Sequence, residues 1–429
     1  MRDEDHDDPG PLTSEVNLEP VRFIARTDAV LRFGALMLGA GASSARVRDT
    51  MERAARALGI HRLHSRVGMT DIVVTVDRRP MFRTRVIEVR RPGVDAARIT
   101  RLQRLSHEIE GGVTAAHLQS ALDRIEQAPP LYPSIVRVIA AAAACAAFAF
   151  LNNGGWQECL SVGLAVLLGQ SVRMLLARAA LNEFLSVFIA ASAALLGYEA
   201  VSFLLDALGA PPGDYAAAFT SAVLFLVPGF ALVTGALDLA RLDLNAGMMR
   251  VVYACLVLLA TGCALWAVAA LFQTSATTIA TPALAEPLLS LARLVAGFVG
   301  VLGFAVLFST PLAIALTAAT IGAVANVGRL LLVDIGVTAP VAAAAAALAV
   351  GIGAFAVSGA VRAPRVTLTV PAVLIMIPGA AAYRAIIATI EGHTIVAVQH
   401  GVQAVLVVIA LAIGLTVART VTEFEWNRP

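Results

Sequence analysis

Lysine is absent from this 429-residue chain; all 32 basic side chains are arginine. That deficit reads as compositional bias and carries no functional weight. Charge of either sign is scarce at 14% of residues, whereas soluble proteins carry about 25%. The net charge of +2 is too small to argue for a nucleic-acid partner. Cysteine is nearly absent too. Cys145, Cys159, Cys255 and Cys263 lie within or beside apolar runs and form no C-x-x-C pair, so they read as small hydrophobes in a helix bundle. No positively charged n-region leads into an early apolar stretch, so no secretory signal is expected. Neither a nucleophile elbow nor a dinucleotide fingerprint in its required strand–turn–helix setting is present. No cofactor, metal or catalytic constellation is expected.

What the chain has is apolar sequence, 58% of its residues, unevenly spread. Residues 1–130 hold 20 Arg and 18 carboxylates, while 131–429 hold 12 of each. Residues 1–20 are acidic and polar around Pro9-Gly10-Pro11 and read as a disordered tail. Residues 21–130 read as a small α/β domain. Val47, Met51, Ala54 and Leu58 mark one helical face, with Ser43 or Ser44 as N-cap and Gly59 as stop. Thr70–Val76 and Arg83–Val89 are β-rich around the turn Asp77-Arg78-Arg79-Pro80, and Leu63, Ser65 and Val67 fit a third strand. Two further helices follow, one through Leu102, Leu105 and Ile109, the other through Leu118, Leu122 and Ile125. Gly39-Ala40-Gly41-Ala42-Ser43-Ser44 follows a helix and reads as a helix–helix turn. His61 and His64 fall on opposite faces of a strand, which argues against joint metal binding.

From residue 131 onward, apolar segments of about 20 residues repeat, the length that crosses a bilayer. The expected spans are 134–151, 158–176, 184–205, 216–237, 248–272, 287–307, 310–331, 338–358, 367–388 and 395–418. The fold class is therefore a predominantly α-helical polytopic membrane protein with about ten transmembrane helices. The long connection near 273–286 divides the membrane region into a first five-helix unit, 131–275, and a second, 276–429. With the N-terminal domain in the cytoplasm, Arg137, Arg173, Arg178, Arg241, Arg250, Arg362, Arg365, Arg419 and Arg428 fall on or near the cytoplasmic side. Arg293, Arg329 and Arg384 fall in or near the outer half. Ten spans return the C-terminus to the cytoplasm. Five is odd, so two similar five-span units sit in opposite orientation, an inverted repeat whose substrate site lies between halves near the midplane.

Two tetrapeptides interrupt this pattern. Leu226-Val227-Pro228-Gly229 and Met376-Ile377-Pro378-Gly379 cut the fourth span of each unit, with prolines 150 residues apart. Proline lacks an amide donor and glycine lacks a Cβ, so the pair opens a helix. Opened backbone at membrane depth is tolerated where it is buried in protein or lines a cavity, and matched breaks point to a transporter's binding site. Polar residues follow each break. Asp238 is a candidate for carrying a proton or binding a substrate amine, with Arg250 nearby; pairing with Arg241 or Arg250 at the membrane surface is the plainer reading. Tyr383 and Arg384 follow the second break. Arg384 and Arg329 are candidates for a substrate carboxylate, with Asn326 one turn before Arg329 as a hydrogen-bonding partner. Arginines near helix ends also snorkel to lipid phosphates. Glu183 and Glu199 are weaker candidates.

Gly34-Ala35-Leu36-Met37-Leu38, Gly41-Ala42, Arg46-Val47 and Met51-Glu52 together resemble the opening of the threonine/serine exporter family. Pro228-Gly229 through Asp238 to Gly247 and Arg250 resembles the end of that family's first five-span unit. Thr310-Pro311, Gly328-Arg329 and Ile377-Pro378-Gly379 through Tyr383-Arg384 resemble its second. Met-Ile-Pro-Gly departs mildly from the Leu-Val-Pro-Gly usual there. The resemblance implies proton-driven export of threonine, serine or a similar solute across a bacterial inner membrane. In the same family the two units can be separate proteins that together export a dicarboxylate such as succinate. Expected partners are therefore the small-molecule substrate, protons and the lipid bilayer, and a homo-oligomer is compatible with the sequence. A membrane enzyme or sensor working through residues 21–130 is the competing class.

Overall fold

The computed structural model describes residues 14–78, 81–89, 93–179, 181–210, 215–272 and 284–422. Arg79-Pro80, Pro211 to Asp214, most of 273–286 and Arg428, all used in the sequence reading, lie outside the described residues, as do residues 1–13. The chain forms two compact units. One holds the described residues up to Gly93 and Arg98–Ala128; the other holds Val94–Ala97 and everything from Pro129 on.

The first unit is α/β. Helix α1 (Ser14–Gly39) is followed by α2 (Ser44–Ala57), then strands β1 (Arg62–Val67), β2 (Asp71–Arg78) and β3 (Met81–Glu88), then α3 (Ala96–Glu108) and α4 (Ala115–Glu126). Helix α1 thus includes 14–20, the last part of the segment expected to be a disordered tail. The strands form one antiparallel sheet in sequence order, with Val74 opposite Arg85 and the Thr75 and Thr84 hydroxyls 2.9 Å apart. Ile72, Val74 and Val76 alternate inward and are fully buried, as a half-buried strand requires. Met51 of α2 lies so close to Gly34 of α1 that a Cβ there would overlap its sulfur. Arg32 ties α1 to α4 through Gln119 at 2.7 Å, Asp123 at 2.6 Å and Glu126. The Glu126 hydrogen bond is the main reason its guanidinium pKa lies above the ordinary value.

The second unit is helical: α5 (Ser134–Leu151), α6 (Trp156–Arg178), α7 (Glu183–Ala207), α8 (Tyr215–Ser221), α9 (Gly229–Ala240) and α10 (Leu244–Phe272), then α11 (Leu288–Leu307), α12 (Leu312–Asp334), α13 (Ala339–Ser358), α14 (Arg365–Leu374), α15 (Gly379–Ile390) and α16 (Thr394–Thr422). Eight of these are long and apolar enough to cross a bilayer, so the protein is a multi-pass membrane protein. Their outward faces carry residues such as Leu164, Leu259, Val295 and Ile409, exposed here and suited to lipid. The two segments expected as the fourth and ninth spans are not continuous helices. In the first, the helical stretch ending at Leu226 and α9 meet at a bend of 69°. In the second, α14 and α15 are separate short helices.

The two six-helix series match in order and, for three pairs of helices, in length. Helices α6 and α12 both have 23 residues, α9 and α15 both have 12, and α10 and α16 both have 29. The turn after α5 puts Asn153 at positive φ, and the turn after α11 puts Ser309 there. In each turn three backbone hydrogen bonds recur 156 positions later, among them Gly154 N–H to Ala149 O and Thr310 N–H to Ala305 O, both 2.9 Å. From α8 and α14 onward the offset is 150. Contacts recur in the same pairs: α5–α6 and α11–α12, α7–α10 and α13–α16, α9–α10 and α15–α16.

Helices α5 and α11, equivalent in the two series, pack against each other and run antiparallel. A Cβ on Gly303 would lie 2.4 Å from Ala140 O, while one on Gly300 would meet Ala147, further along α5. The Tyr132 hydroxyl, just before α5, donates to Thr310 O, just after α11, at 2.8 Å. Small residues let these backbones approach, as is common between membrane helices.

Candidate functional site

The Pro-Gly breaks have the same backbone. Pro228 has φ −80 and ψ 55, and Pro378 has φ −79 and ψ 59. Gly229 N–H donates to Val227 O at 2.8 Å and Gly379 N–H to Ile377 O at 2.9 Å. Each is an inverse γ-turn centred on proline. Proline has no N–H to continue the helix, so the preceding turn tightens: Val227 N–H reaches Leu224 O at 3.0 Å and Ile377 N–H reaches Leu374 O at 3.3 Å. The proline carbonyl then accepts the first bond of the next helix, from Leu232 at 3.0 Å and Ala382 at 3.1 Å.

Each break faces the other half. A Cβ on Gly229 would overlap Leu374 of α14, and one on Gly379 would press on the Phe148 ring at 3.1 Å and Thr220 of α8 at 3.5 Å. Contacts cross in equivalent pairs, α8 with α15 and α14 with α9, then α10 with α15 and α16 with α9. Gly229, Val233, Leu374 and Ile377 share one small apolar crevice with Leu411 and Leu415 of α16. Asp238, Arg250, Asn326, Arg329, Tyr383 and Arg384 do not line it.

Asp238 sits on α9 with 1% exposure, and its Oδ2 lies 3.4 Å from Nε of Arg250 on α10. Arg250 Nη1 also donates to Thr234 Oγ1 at 2.9 Å, while that hydroxyl donates to Phe230 O at 2.7 Å. The pairing expected at a membrane surface is therefore with Arg250, and both partners are buried. Gly235 and Gly247 permit it: a Cβ on Gly247 would stand 2.9 Å from Leu239 N.

Tyr383 is fully buried. Its ring meets Phe219 of α8 edge-on at 5.7 Å, and Phe219 meets Tyr198 of α7 at 5.9 Å. This aromatic file joins the second break to the first half. Arg384, next in sequence, is half-buried and makes no hydrogen bond or ion pair among the described residues. The structure does not bring Arg384 together with Asp238 or Arg329 in any hydrogen bond or ion pair.

Asn326 is fully buried on α12; its Oδ1 accepts from Arg329 Nε at 2.9 Å, and its Nδ2 has no partner among the described residues. Arg293 of α11 is buried and pairs with Asp334 at the end of α12. Glu183 accepts from the Tyr253 hydroxyl, so it does more than start a helix. Glu199 is half-buried with one oxygen unpartnered among the described residues.

Arg173, used in the sequence reading only to orient the chain, donates from Nη1 to Phe225 O at 3.2 Å, three residues before Pro228. One turn before it, Gln170 is 5% exposed and its Oε1 has no partner among the described residues. Gln170 and Arg173 occupy the positions on α6 that Asn326 and Arg329 occupy on α12. Amide-x-x-arginine in both halves was the available signal, and it emerges once the 156-residue offset is known. Among the described residues no group of His, Cys, Asp or Glu could hold a metal ion.

Comparison with known proteins agrees with this architecture. A threonine/serine exporter profile matches residues 28–272, and a second profile of the same exporters, ThrE, matches 293–421. The probable succinate transporter subunit YjjP of Escherichia coli (strain K12) is 29% identical over 242 residues, covering 55% of this chain and 91% of that protein. Its counterpart in Klebsiella aerogenes is 29% identical over 230 residues, covering 52% and 85%. No solved structure matches. With one profile covering the α/β unit and first helix series and the other the second series, the chain belongs to the threonine/serine exporter family.

Proposed function

We propose that the protein is a secondary exporter of small hydrophilic amino acids, threonine or serine, driven by the proton motive force. The two helix series act as an inverted repeat of five spans each, the broken pairs counting as one span apiece. Substrate passes between the series and is exposed alternately to each side. The carrying observation is that each Pro-Gly break seats its glycine against the other half, Gly229 on Leu374 and Gly379 on Thr220 and Phe148. The antiparallel course of α5 and α11 supports the inversion. Arginine placement supports an inner-membrane protein with cytoplasmic termini.

In this reading Pro228, Gly229, Pro378 and Gly379 form the moving centre. Tyr383, Arg384, Asn326 and Arg329 supply substrate contacts from the second half, and Asp238 with Arg250 supplies the proton-sensitive pair. Protonating Asp238 would release Arg250, which links a proton to the packing of α9 on α10. The test is efflux from vesicles loaded with labelled threonine under an imposed proton gradient. Replacing Pro228-Gly229 or Pro378-Gly379 with Ala-Ala is expected to abolish efflux with normal insertion. Asp238→Asn is expected to remove its dependence on the gradient. Efflux indifferent to the protein or to the gradient sinks the proposal.

One observation favours dicarboxylate export as a second reading. Asp238, the candidate partner for a substrate amine, is occupied by Arg250, whereas cationic Arg329 and Arg384 have no carboxylate partner among the described residues. Both relatives carry the name "probable succinate transporter subunit". Competition by succinate against threonine in the same efflux assay separates the two readings.

A further inference from the structure

The two equivalent amide–arginine pairs are in different states. On α6, Arg173 reaches forward to the Phe225 carbonyl, at the turn before the first break, and leaves the buried Gln170 Oε1 without a partner among the described residues. On α12, Arg329 instead folds back onto Asn326 Oδ1 at 2.9 Å. The position equivalent to Phe225 is Ile375, at the turn before the second break. Each half thus displays the hydrogen bond that the other lacks. A buried amide oxygen without a donor is costly, and a charged donor lies one helical turn away in the same chain.

An inverted repeat offers a direct reason for such a difference. If two halves have equivalent backbones but occupy unlike conformations, the opposite-facing state is reached when each half takes the other's conformation. Resting on the exporter reading above, we propose that Arg173 and Arg329 are positioning residues that exchange partners during transport: in the opposite-facing state Arg329 holds the Ile375 carbonyl and Arg173 folds back onto Gln170. Two hydrogen bonds are lost and two equivalent ones gained, so the two states stay close in free energy, as a transporter needs. The arginines act on the broken helices through their backbone carbonyls, whatever the solute.

The consequence crosses the halves. Asn326→Leu removes a bond of the present state alone and so favours the opposite one. Gln170→Leu removes a bond of the opposite state alone and so favours the present one. Each arginine bonds in both states, so Arg173→Gln and Arg329→Gln leave the ratio of states nearly unchanged. A purely structural role would confine the effect of Asn326→Leu to the second half and give Gln170→Leu, which breaks no bond of the present state, no effect on either break.

The test is hydrogen–deuterium exchange of the full-length protein in lipid nanodiscs, read on peptides covering 223–227 and 373–377. Asn326→Leu should raise exchange in the first segment and lower it in the second. Gln170→Leu should do the reverse. Arg173→Gln should loosen only the first segment and Arg329→Gln only the second. A single hydrogen bond to a charged group corresponds to a shift of about tenfold in the ratio of states. Asn326→Ala and Gln170→Ala remove the same amide oxygens and carry the same expected signs, which covers leucine variants that fail to fold. An effect of Asn326→Leu confined to the second segment, no effect of Gln170→Leu, or loosening of both segments in every variant overturns the exchange. Efflux from wild-type vesicles keeps the two ideas apart. Efflux without the crosswise pattern rejects the exchange alone, and the crosswise pattern without efflux rejects the exporter reading alone.

Discussion

Helices α9 and α10 carry Thr234, Asp238 and Arg250; at the equivalent places α15 and α16 carry Arg384, Ala388 and His400. Both hairpins start at a proline with the same dihedral angles, have the same helix lengths and turn through one residue at positive φ. The first is held by a buried ion pair. The second is held by Tyr383 packing on Phe219 in the other half. The backbone of the break follows from two residues, Pro and Gly, whose effect is local. The surrounding side chains answer to different neighbours and have diverged. What the halves share is therefore the break, and what separates them is where the charge sits.

The largest expected effect attacks that difference in charge. Removing one member of a buried pair takes the other's nearest countercharge away, so Asp238→Ala should destabilise the protein by about 3–5 kcal/mol. The double variant Asp238→Ala with Arg250→His installs the residue types of the second half, Ala388 and His400, and should recover more than half of that loss. Chemical unfolding in detergent measures both. A loss under about 1 kcal/mol in the single variant would mean that the pair does not hold the hairpin.

The next effect concerns the seam between α5 and α11. There α11 has Gly300 and Gly303 where α5 has Ala144 and Ala147. A Cβ on Gly303 meets Ala140 O at 2.4 Å, a backbone atom that cannot swing aside. Gly303→Val should cost about 1–3 kcal/mol by overpacking. Ala147→Gly, the reverse exchange in α5, should cost only about 1 kcal/mol through helix propensity. Equal losses in the two variants would show that the seam does not depend on glycine.

Much of this architecture was legible beforehand, for reasons that differ by feature. Apolar runs of bilayer length located the helices, because lipid forces every backbone group to be satisfied within the segment. Pro-Gly located both breaks, because no neighbour can restore an amide that proline lacks. The strands β1 to β3 followed from alternation and a turn. Other features depend on distance in three dimensions. Arg250 was visible as a partner of Asp238, but the burial of the pair depends on Gly235 and Gly247 bringing α9 and α10 together. The Tyr383–Phe219 contact links residues on opposite halves and leaves no local mark. The likeness of Gln170-Ser171-Val172-Arg173 to Asn326-Val327-Gly328-Arg329 is one of residue type, and the change of offset from 156 to 150 hides it from a simple scan.

A smaller effect should follow from Thr234→Val. The hydroxyl accepts from Arg250 at 2.9 Å and is itself buried. Its loss leaves one guanidinium donor unsatisfied and should cost about 1–2 kcal/mol, less than the loss of the carboxylate. The equivalent substitution in the second half does not exist, since Arg384 stands there. If Thr234→Val matched Asp238→Ala in effect, the hydrogen bond rather than the ion pair would be the main tie between α9 and α10.

The smallest effect tests the turn that both hairpins share. After α9 the chain turns through Leu242 at φ 60, and after α15 through Gly392 at φ 77. A side chain at such a φ is strained by roughly 1–2 kcal/mol, whereas glycine adopts it freely. Leu242 is 82% exposed, so little packing is lost with its side chain. Against this, glycine gives the unfolded chain more freedom, about 0.4–1 kcal/mol. Leu242→Gly should therefore stabilise the protein by about 0.5 kcal/mol, and Gly392→Leu should destabilise it by about 1 kcal/mol. Melting temperatures of the two variants, read side by side with the wild type, should move in opposite directions. If Leu242→Gly lowers the melting temperature instead, the leucine at this exposed turn has a role in the membrane that outweighs its strain, and the two hairpins differ in their turns as well as in their charges.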